Sequence, residues 1–328
     1  MPFTKEALHL DFASEADRIG TQIKSYLTSV RRKGIVVGLS GGIDSTVTAA
    51  LAVRALGPDR VFGILMPERH SESATLAISR GVAESLGIRY ELEEITGILE
   101  SFGFYQRYNE AVRRVIPTFD STWKSKIAIH AVAGAQTFNY FTVVAQSPSG
   151  EVLTERLPLN SYLEIVAATN FKQRTRKTFE YYYADRFNYA VAGTPNRLEY
   201  DQGFFVKLGD GAADIKPIAH LYKTQVYAMA EYLQVPENVR RRAPTTDTYS
   251  LPQGQDEFYF SLPYPQMDLC LYAKNHGIAA DEVAAAAKIT VDQVKLVWAD
   301  IDRKRQTTRY LHLGPRLIDP IPELGLTH

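Results

Sequence analysis

Residues 34–45 read GIVVGLSGGIDS: a short apolar run, two adjacent glycines, then an acid followed by a serine. The run 34–39 has the β-branched density of a buried strand, and 46–56 (TVTAALAVRAL) has the composition of a helix. A strand joined to a helix by a glycine turn leaves unpaired backbone N–H groups at the helix start, where an anion can sit. Gly41 and Gly42 let the backbone approach that anion closely, and Ser40 and Ser45 add hydroxyl donors. The turn contains no lysine, so it is not the GxxxxGK[ST] loop.

Outward from this joint the chain alternates. An amphipathic helix is expected over 14–33 with Ser14 as its N-cap, followed by strands at 34–39, 60–66 and 89–94 and helices at 46–56 and 72–86. A helix begun near residue 175 ends at 188, a fourth strand occupies 189–192, and a further helix covers 221–233. Such alternation implies an α/β fold, a parallel sheet with helices on both faces, and a ligand beyond the carboxyl ends of the strands. The last quarter reads as helical over 266–275, 281–288 and 291–305, with an extended, proline-bearing tail over 311–328. The stretch 101–163 departs from the pattern. Its segments 138–145 and 151–157 flank the turn SPSG and read as a β-hairpin inserted into one single domain.

The bulk numbers narrow the function classes. Lysine plus arginine and aspartate plus glutamate number 37 each, so net charge argues for neither nucleic acid nor a membrane surface. No stretch approaches the roughly 18 apolar residues of a membrane span, and the N-terminus carries no secretion signal. The single cysteine, Cys270, excludes an internal disulfide and any cysteine-rich zinc site. A cytoplasmic enzyme is the expectation.

The turn resembles the SGGxDS loop of ATP pyrophosphatases, which cut ATP between its α and β phosphates and retain AMP as an activating group. A second cluster makes the resemblance specific. Residues 169–184 read TNFKQRTRKTFEYYYA, placing Arg174 and Arg176 at a helix start, and 193–230 read GTPNRLEYDQGFFVKLGDGAADIKPIAHLYKTQVYAMA. APTTD follows at 243–247. In order, these resemble the Gly-Thr turn, downstream glutamate, GDGG-x-D passage, K-T-Q helix start and EPTAD-like segment of the NAD synthetase family, over residues 14–100 and 165–310. The family implies a doubly wound parallel five-stranded sheet of the adenine nucleotide alpha-hydrolase-like kind, and amidation of deamido-NAD with ammonia and ATP. It also implies a homodimer with the dinucleotide at the subunit interface, the helix over 175–188 being a contact.

Matched position by position, the resemblance assigns the ATP phosphates to Gly38, Leu39, Ser40, Gly41, Gly42, Ile43, Asp44 and Ser45. Thr194 and Thr245 match ATP-contacting hydroxyls, and Lys223 matches the lysine that meets the pyrophosphate. Asp44 and Glu199 match the Mg²⁺ carboxylates. Deamido-NAD falls to Arg174, Lys207 and Asp214, to the basic pair Arg303 and Lys304, and to Tyr26 and Tyr181 beside the nicotinate ring. Asp210 or Asp214 would take a proton from the attacking ammonium.

Bland readings compete. Asp44 fits a helix N-cap, and Arg303 and Lys304 suit a helix C-terminus. A related amide ligase acting on another carboxylic acid, or a catalytically idle nucleotide sensor, would share the loop. Residues 193–199 (GTPNRLE) look closer to the turn of glutamine-using members. Yet no nitrilase-like domain precedes it and Cys270 sits in an expected helix, so free ammonia is the expected nitrogen source unless a separate glutaminase docks.

Overall fold

The computed structural model describes residues 2–71, 73–131, 139–242, 248–252, 254, 259–260, 262–319 and 321–324. Helix α1 spans Phe12–Ser29 and buries Ala16, Ile19, Ile23 and Leu27 against the sheet core. Its cap is Asp11 rather than Ser14: the Asp11 carboxylate accepts from the amides of Ala13 and Ser14, so the helix starts earlier than expected. Strand β1 (Ile35–Gly38) and helix α2 (Ile43–Leu56) flank the glycine turn as expected. Then follow β2 (Val61–Leu65), α3 (Ser73–Ser85), β3 (Arg89–Leu92), α4 (Thr96–Ser101) and α5 (Phe104–Arg113).

The stretch 101–163 holds more than a hairpin. Strands β4 (Lys124–Ala131), β5 (Asn139–Gln146) and β6 (Val152–Arg156) form an antiparallel three-stranded sheet in which β5 pairs with both neighbours. The expected hairpin is its β5–β6 half. Ile127, Val143 and Ala145 bury one face of this sheet in a core shared with α5.

Helix α6 runs Leu159–Phe187, 29 residues, so it begins well before residue 175 and carries Arg174 and Arg176 in its interior rather than at its start. Its early turns show no clean apolar stripe, because Ile165 and Ala168 share the buried face with Ser161, Thr169 and Lys172. The chain continues through β7 (Ala190–Val191), α7 (Arg197–Gln202), α8 (Lys223–Tyr232) and α9 (Glu237–Arg240). The helical C-terminal part is α10 (Tyr264–His276), α11 (Ala280–Ala287) and α12 (Val291–His312), packed on its own apolar core.

Among the described residues the parallel sheet has four strands in the order β3-β2-β1-β7 rather than five. The fifth position is held by one parallel bridge, Ala192 to Ile215. Apolar clusters cover both faces of the sheet, Val37 on one side and Val36 on the other, as its alternation requires. The chain turns from β1 toward β2 on one side and meets β7 on the other. Loops following β1 and β7 therefore open side by side at their carboxyl ends, where a sheet of this kind binds ligands.

Candidate active site

The turn after β1 is built from its own hydroxyls. Ser45 Oγ donates to the Gly42 carbonyl at 3.0 Å and lies 3.1 Å from Ser40 Oγ, and Gly42 N donates to Ser40 Oγ at 3.3 Å. Gly41 has φ +70°, the left-handed region, and Gly42 caps α2 without a side chain. The first-turn amides of a 14-residue helix thus face outward unscreened by any cap. Close approach is also enforced at Gly38, where a Cβ would come within 2.9 Å of Glu180 Oε1.

A cleft of about 500 Å³ opens over this turn. Gly38, Leu39, Ser40, Gly42, Ile43, Asp44 and Ser45 form one wall, and Thr194, Glu199 and Asp210 line it from the far side of β7. Thr245 lies outside the described residues, though Thr248 and Tyr249 border the same cleft.

At its base three charged groups meet. Lys223 opens α8 and is fully buried; its Nζ lies 2.5 Å from Asp44 Oδ2. Asp44 Oδ1 accepts from Asn196 Nδ2 at 3.0 Å. Asn196 also caps α7, accepting from the amides of Leu198 and Glu199, while Glu199 Oε2 accepts from the Asn196 amide at 3.1 Å. Burial and then the Asp44 charge push the Glu199 carboxyl well above the ordinary carboxylate range. Burial pulls Lys223 down, but Asp44 and Glu199 more than offset it, and the ammonium is held more firmly than in water. Asp44 is not the helix cap, since Gly42 occupies that position; its carboxylate is free to face the cleft from the first turn.

Helix α8 is held from the C-terminal part. Asp268, fully buried on α10, accepts from the Lys223 amide at 3.2 Å and from the Thr224 amide and hydroxyl at 2.7 Å each. Burial pushes its carboxyl up to about 6 despite these donors.

Asp210 and Asp214 have different surroundings. Asp210 lines the cleft, accepts from Val206 N at 2.8 Å, and is raised by burial. Asp214 accepts from Val191 N at 2.7 Å and from Tyr181 Oη at 3.4 Å, at the end of β7. Tyr26 feels the Asp214 charge, so Tyr26, Tyr181 and Asp214 form one cluster.

Neither this cluster nor the other residues expected for the dinucleotide line the cleft. Arg174 is exposed and donates to the Lys207 carbonyl at 3.3 Å. Lys207 Nζ donates to the carbonyls of Tyr310 and Leu313 at the end of α12. Lys304 donates to the Tyr259 carbonyl and pairs with Asp300 at 2.7 Å; the Tyr259 ring lines the cleft. Arg303 is part-exposed on the same helix.

The cations that do border the cleft are Arg176 and Arg242, neither singled out above for a role. Arg176 Nε donates to the Met66 carbonyl at 3.3 Å, and Arg242 Nη2 donates to Thr75 Oγ1 at 2.8 Å. Arg176 stood beside Arg174 in sequence; helix phase separates them, two residues apart pointing to different sides. Asn196 was also missed, although Asn followed three residues later by Glu is the signature of a capping box.

Among the described residues no group of three or more His, Cys, Asp or Glu side chains could hold a metal, and no helix is long and apolar enough to cross a membrane.

The family model described as NAD synthase matches residues 15–133 and 115–310. The chain is 56% identical to the NH(3)-dependent NAD(+) synthetase of Rhizobium meliloti (strain 1021) over 322 residues, covering 98% of this chain and 96% of the relative. It is 36% identical to the enzyme of the same name from Thermotoga maritima over 262 residues, covering 79% of this chain and 87% of that one. A solved structure of similar fold is the NH3-dependent NAD synthetase from Campylobacter jejuni, with TM-score 0.62 and 23% identity, covering 94% of this chain and all of that one.

Proposed function

The chain belongs to the NAD synthase family, and on that premise we propose that it is a ligase that amidates deamido-NAD with ammonia and ATP, giving NAD, AMP and pyrophosphate. The observation that carries this reading is the joint of the uncapped α2 N-terminus with the buried Asp44–Lys223 pair at the floor of one cleft. Relatives at 53–56% identity carry the name of NH(3)-dependent enzymes, which favours free ammonia over a docked glutaminase.

A carboxylate resists ammonia because it is anionic and lacks a leaving group. In the proposed reaction an oxygen of the nicotinate carboxylate attacks the α-phosphorus of ATP and pyrophosphate departs, leaving an acyl-adenylate. Negative charge gathers on the departing phosphates, and first-turn amides, Lys223 and the cleft arginines Arg176 and Arg242 would stabilise it electrostatically. Ammonia then attacks the activated carbonyl carbon, loses a proton, and AMP leaves. Asp210, raised by burial, is the better placed of the two candidate bases: each carboxylate accepts one backbone amide, but Asp210 lines the cleft and Asp214 does not.

Mg²⁺ suits this donor set. It takes hard oxygen ligands and binds commonly through one or two carboxylates plus substrate phosphates, and Asp44 and Glu199 provide two adjacent carboxylates whose mutual repulsion is already evident. When bound it would neutralise charge on the phosphates. We place deamido-NAD against Tyr26, Tyr181, Asp214, Arg174, Lys207, Arg303 and Lys304, and assign the enzyme to the cytoplasm as a homodimer.

The test is the purified chain with ATP, Mg²⁺, ammonium and deamido-NAD, products identified by mass. NAD, AMP and pyrophosphate in equal amounts are expected. AMP release with another carboxylic acid and none with deamido-NAD would reassign the acceptor, and nucleotide binding without AMP release would make the chain a sensor.

A further inference from the structure

A second buried ion pair, outside the groups used above, joins two walls of the cleft. Lys172 lies on α6 with its side chain 1% exposed, and its Nζ donates to Glu68 Oε1 at 2.7 Å and to the Thr248 carbonyl at 2.9 Å. Glu68 follows β2, and its other oxygen accepts from Tyr105 Oη of α5 at 2.8 Å. The Glu68 amide donates to Ser71 Oγ at 3.1 Å, and Ser71 N returns to the Glu68 carbonyl at 2.9 Å, so the carboxylate is rigidly attached to its loop. The Phe104 ring lies 5.1 Å from the ammonium. Burial favours a neutral Glu68, but Lys172 and His70 bring its carboxyl below the ordinary range.

Both segments held by Lys172 border the nucleotide cleft: Ser71 and Thr75 from one, Thr248 and Tyr249 from the other. The second has no regular secondary structure. It is also anchored on β4, where Ser125 N donates to Ser250 Oγ at 2.8 Å and Leu251 N to the Ser125 carbonyl at 3.1 Å, and by Tyr249, buried in the core shared with α5. A buried ion pair adds little stability over an apolar pair of the same volume, so stability alone does not account for one here. An ammonium with three directed donors does what an apolar side chain cannot: it bonds a carboxylate on one segment and a backbone carbonyl on another.

We propose that Lys172 is a positioning residue that, with Glu68, locks the Thr248 segment to the loop after β2, so that both walls of the nucleotide cleft hold one arrangement. This rests on the nucleotide reading of the cleft.

Two measurements test it. In the unmodified chain, hydrogen exchange is followed with and without ATP plus Mg²⁺. Slowed exchange is expected at 38–45 and, in step with each other, at 68–71 and 248–252. Protection at 38–45 and 68–71 without protection at 248–252 would overturn the lock. No protection at 38–45 would sink the nucleotide reading and the lock with it.

In variants, Lys172→Met leaves Glu68 buried without its cation and lowers the melting temperature. Adding Glu68→Gln removes the stranded charge and restores it. In the double variant the KM for ATP is expected to remain raised roughly tenfold, the order for a lost charge-assisted bond, because the Thr248 carbonyl has still lost its donor. A double variant with native stability and native KM would show the pair to be a matter of core stability only. Should that variant not fold, the exchange experiment decides by itself.

Discussion

Lys223 Nζ and Asp44 Oδ2 are 2.5 Å apart, and the lysine is fully buried while the carboxylate is open to the cleft. The two come from the first turns of α8 and α2, 179 residues apart. Removing the acid therefore does more than remove the proposed ligand for Mg²⁺. Asp44→Ala should abolish AMP formation and also cost about 3 kcal/mol of stability, since it leaves a buried ammonium uncompensated. Asp44→Asn with Lys223→Met should recover most of that stability in a denaturant titration while remaining inactive. A fully stable Asp44→Ala protein would contradict the pairing.

Asn196 serves two neighbours, orienting the Asp44 carboxylate and capping α7. Asn196→Ser keeps a capping oxygen but is too short to reach Asp44. Stability should fall by less than about 1 kcal/mol, whereas turnover should drop by roughly tenfold, the order of one lost bond to a charged group. Equal losses in both would mean that the cap alone matters.

Gly41 adopts φ +70° with Ser79 Oγ and an Ile78 methyl a little over 3 Å from where a Cβ would lie. Gly41→Ala should cost about 1–2 kcal/mol for the left-handed backbone. Its larger effect is expected on ATP affinity by calorimetry, because the strained turn can relax only by moving the phosphate-facing amides. Unaltered affinity would place the phosphates elsewhere.

Asp268 predicts a pH dependence. Its folded value of about 6 lies above the ordinary 3.8, so the folded state binds the proton more readily than the unfolded one. Its contribution to stability is complete below about pH 4 and is lost as pH rises through about 6. The gap corresponds to about 3 kcal/mol. The difference between the stability curves of the unmodified chain and Asp268→Asn should slope over that window and be flat above it. A flat difference from pH 4 to 7 would refute the shift.

The strand–turn–helix at 34–56, the three parallel strands and the C-terminal helices were legible because their apolar periodicity survives in the chain, with β-branched runs for buried strands and a glycine turn between. The start of α6 was not. Its early turns bury Lys172 along with Ser161 and Thr169 and so present no clean stripe, and only Glu68, brought from a distant segment, makes burial of the Lys172 charge possible. The third strand of the antiparallel sheet was hidden for another reason: between β4 and β5 the sequence offers Gly134 alone as a turn residue, with no Pro, Asn or Asp beside it.

By itself the sequence determined the α/β class, the glycine turn between β1 and α2 and the family, because these rest on local backbone conformation and on the order of motifs along the chain. Only the tertiary structure decided that Lys223 faces Asp44, that Arg176 rather than Arg174 reaches the cleft, and that Asp210 rather than Asp214 lines it. Those relations are distances between side chains on separate elements, which no linear spacing encodes.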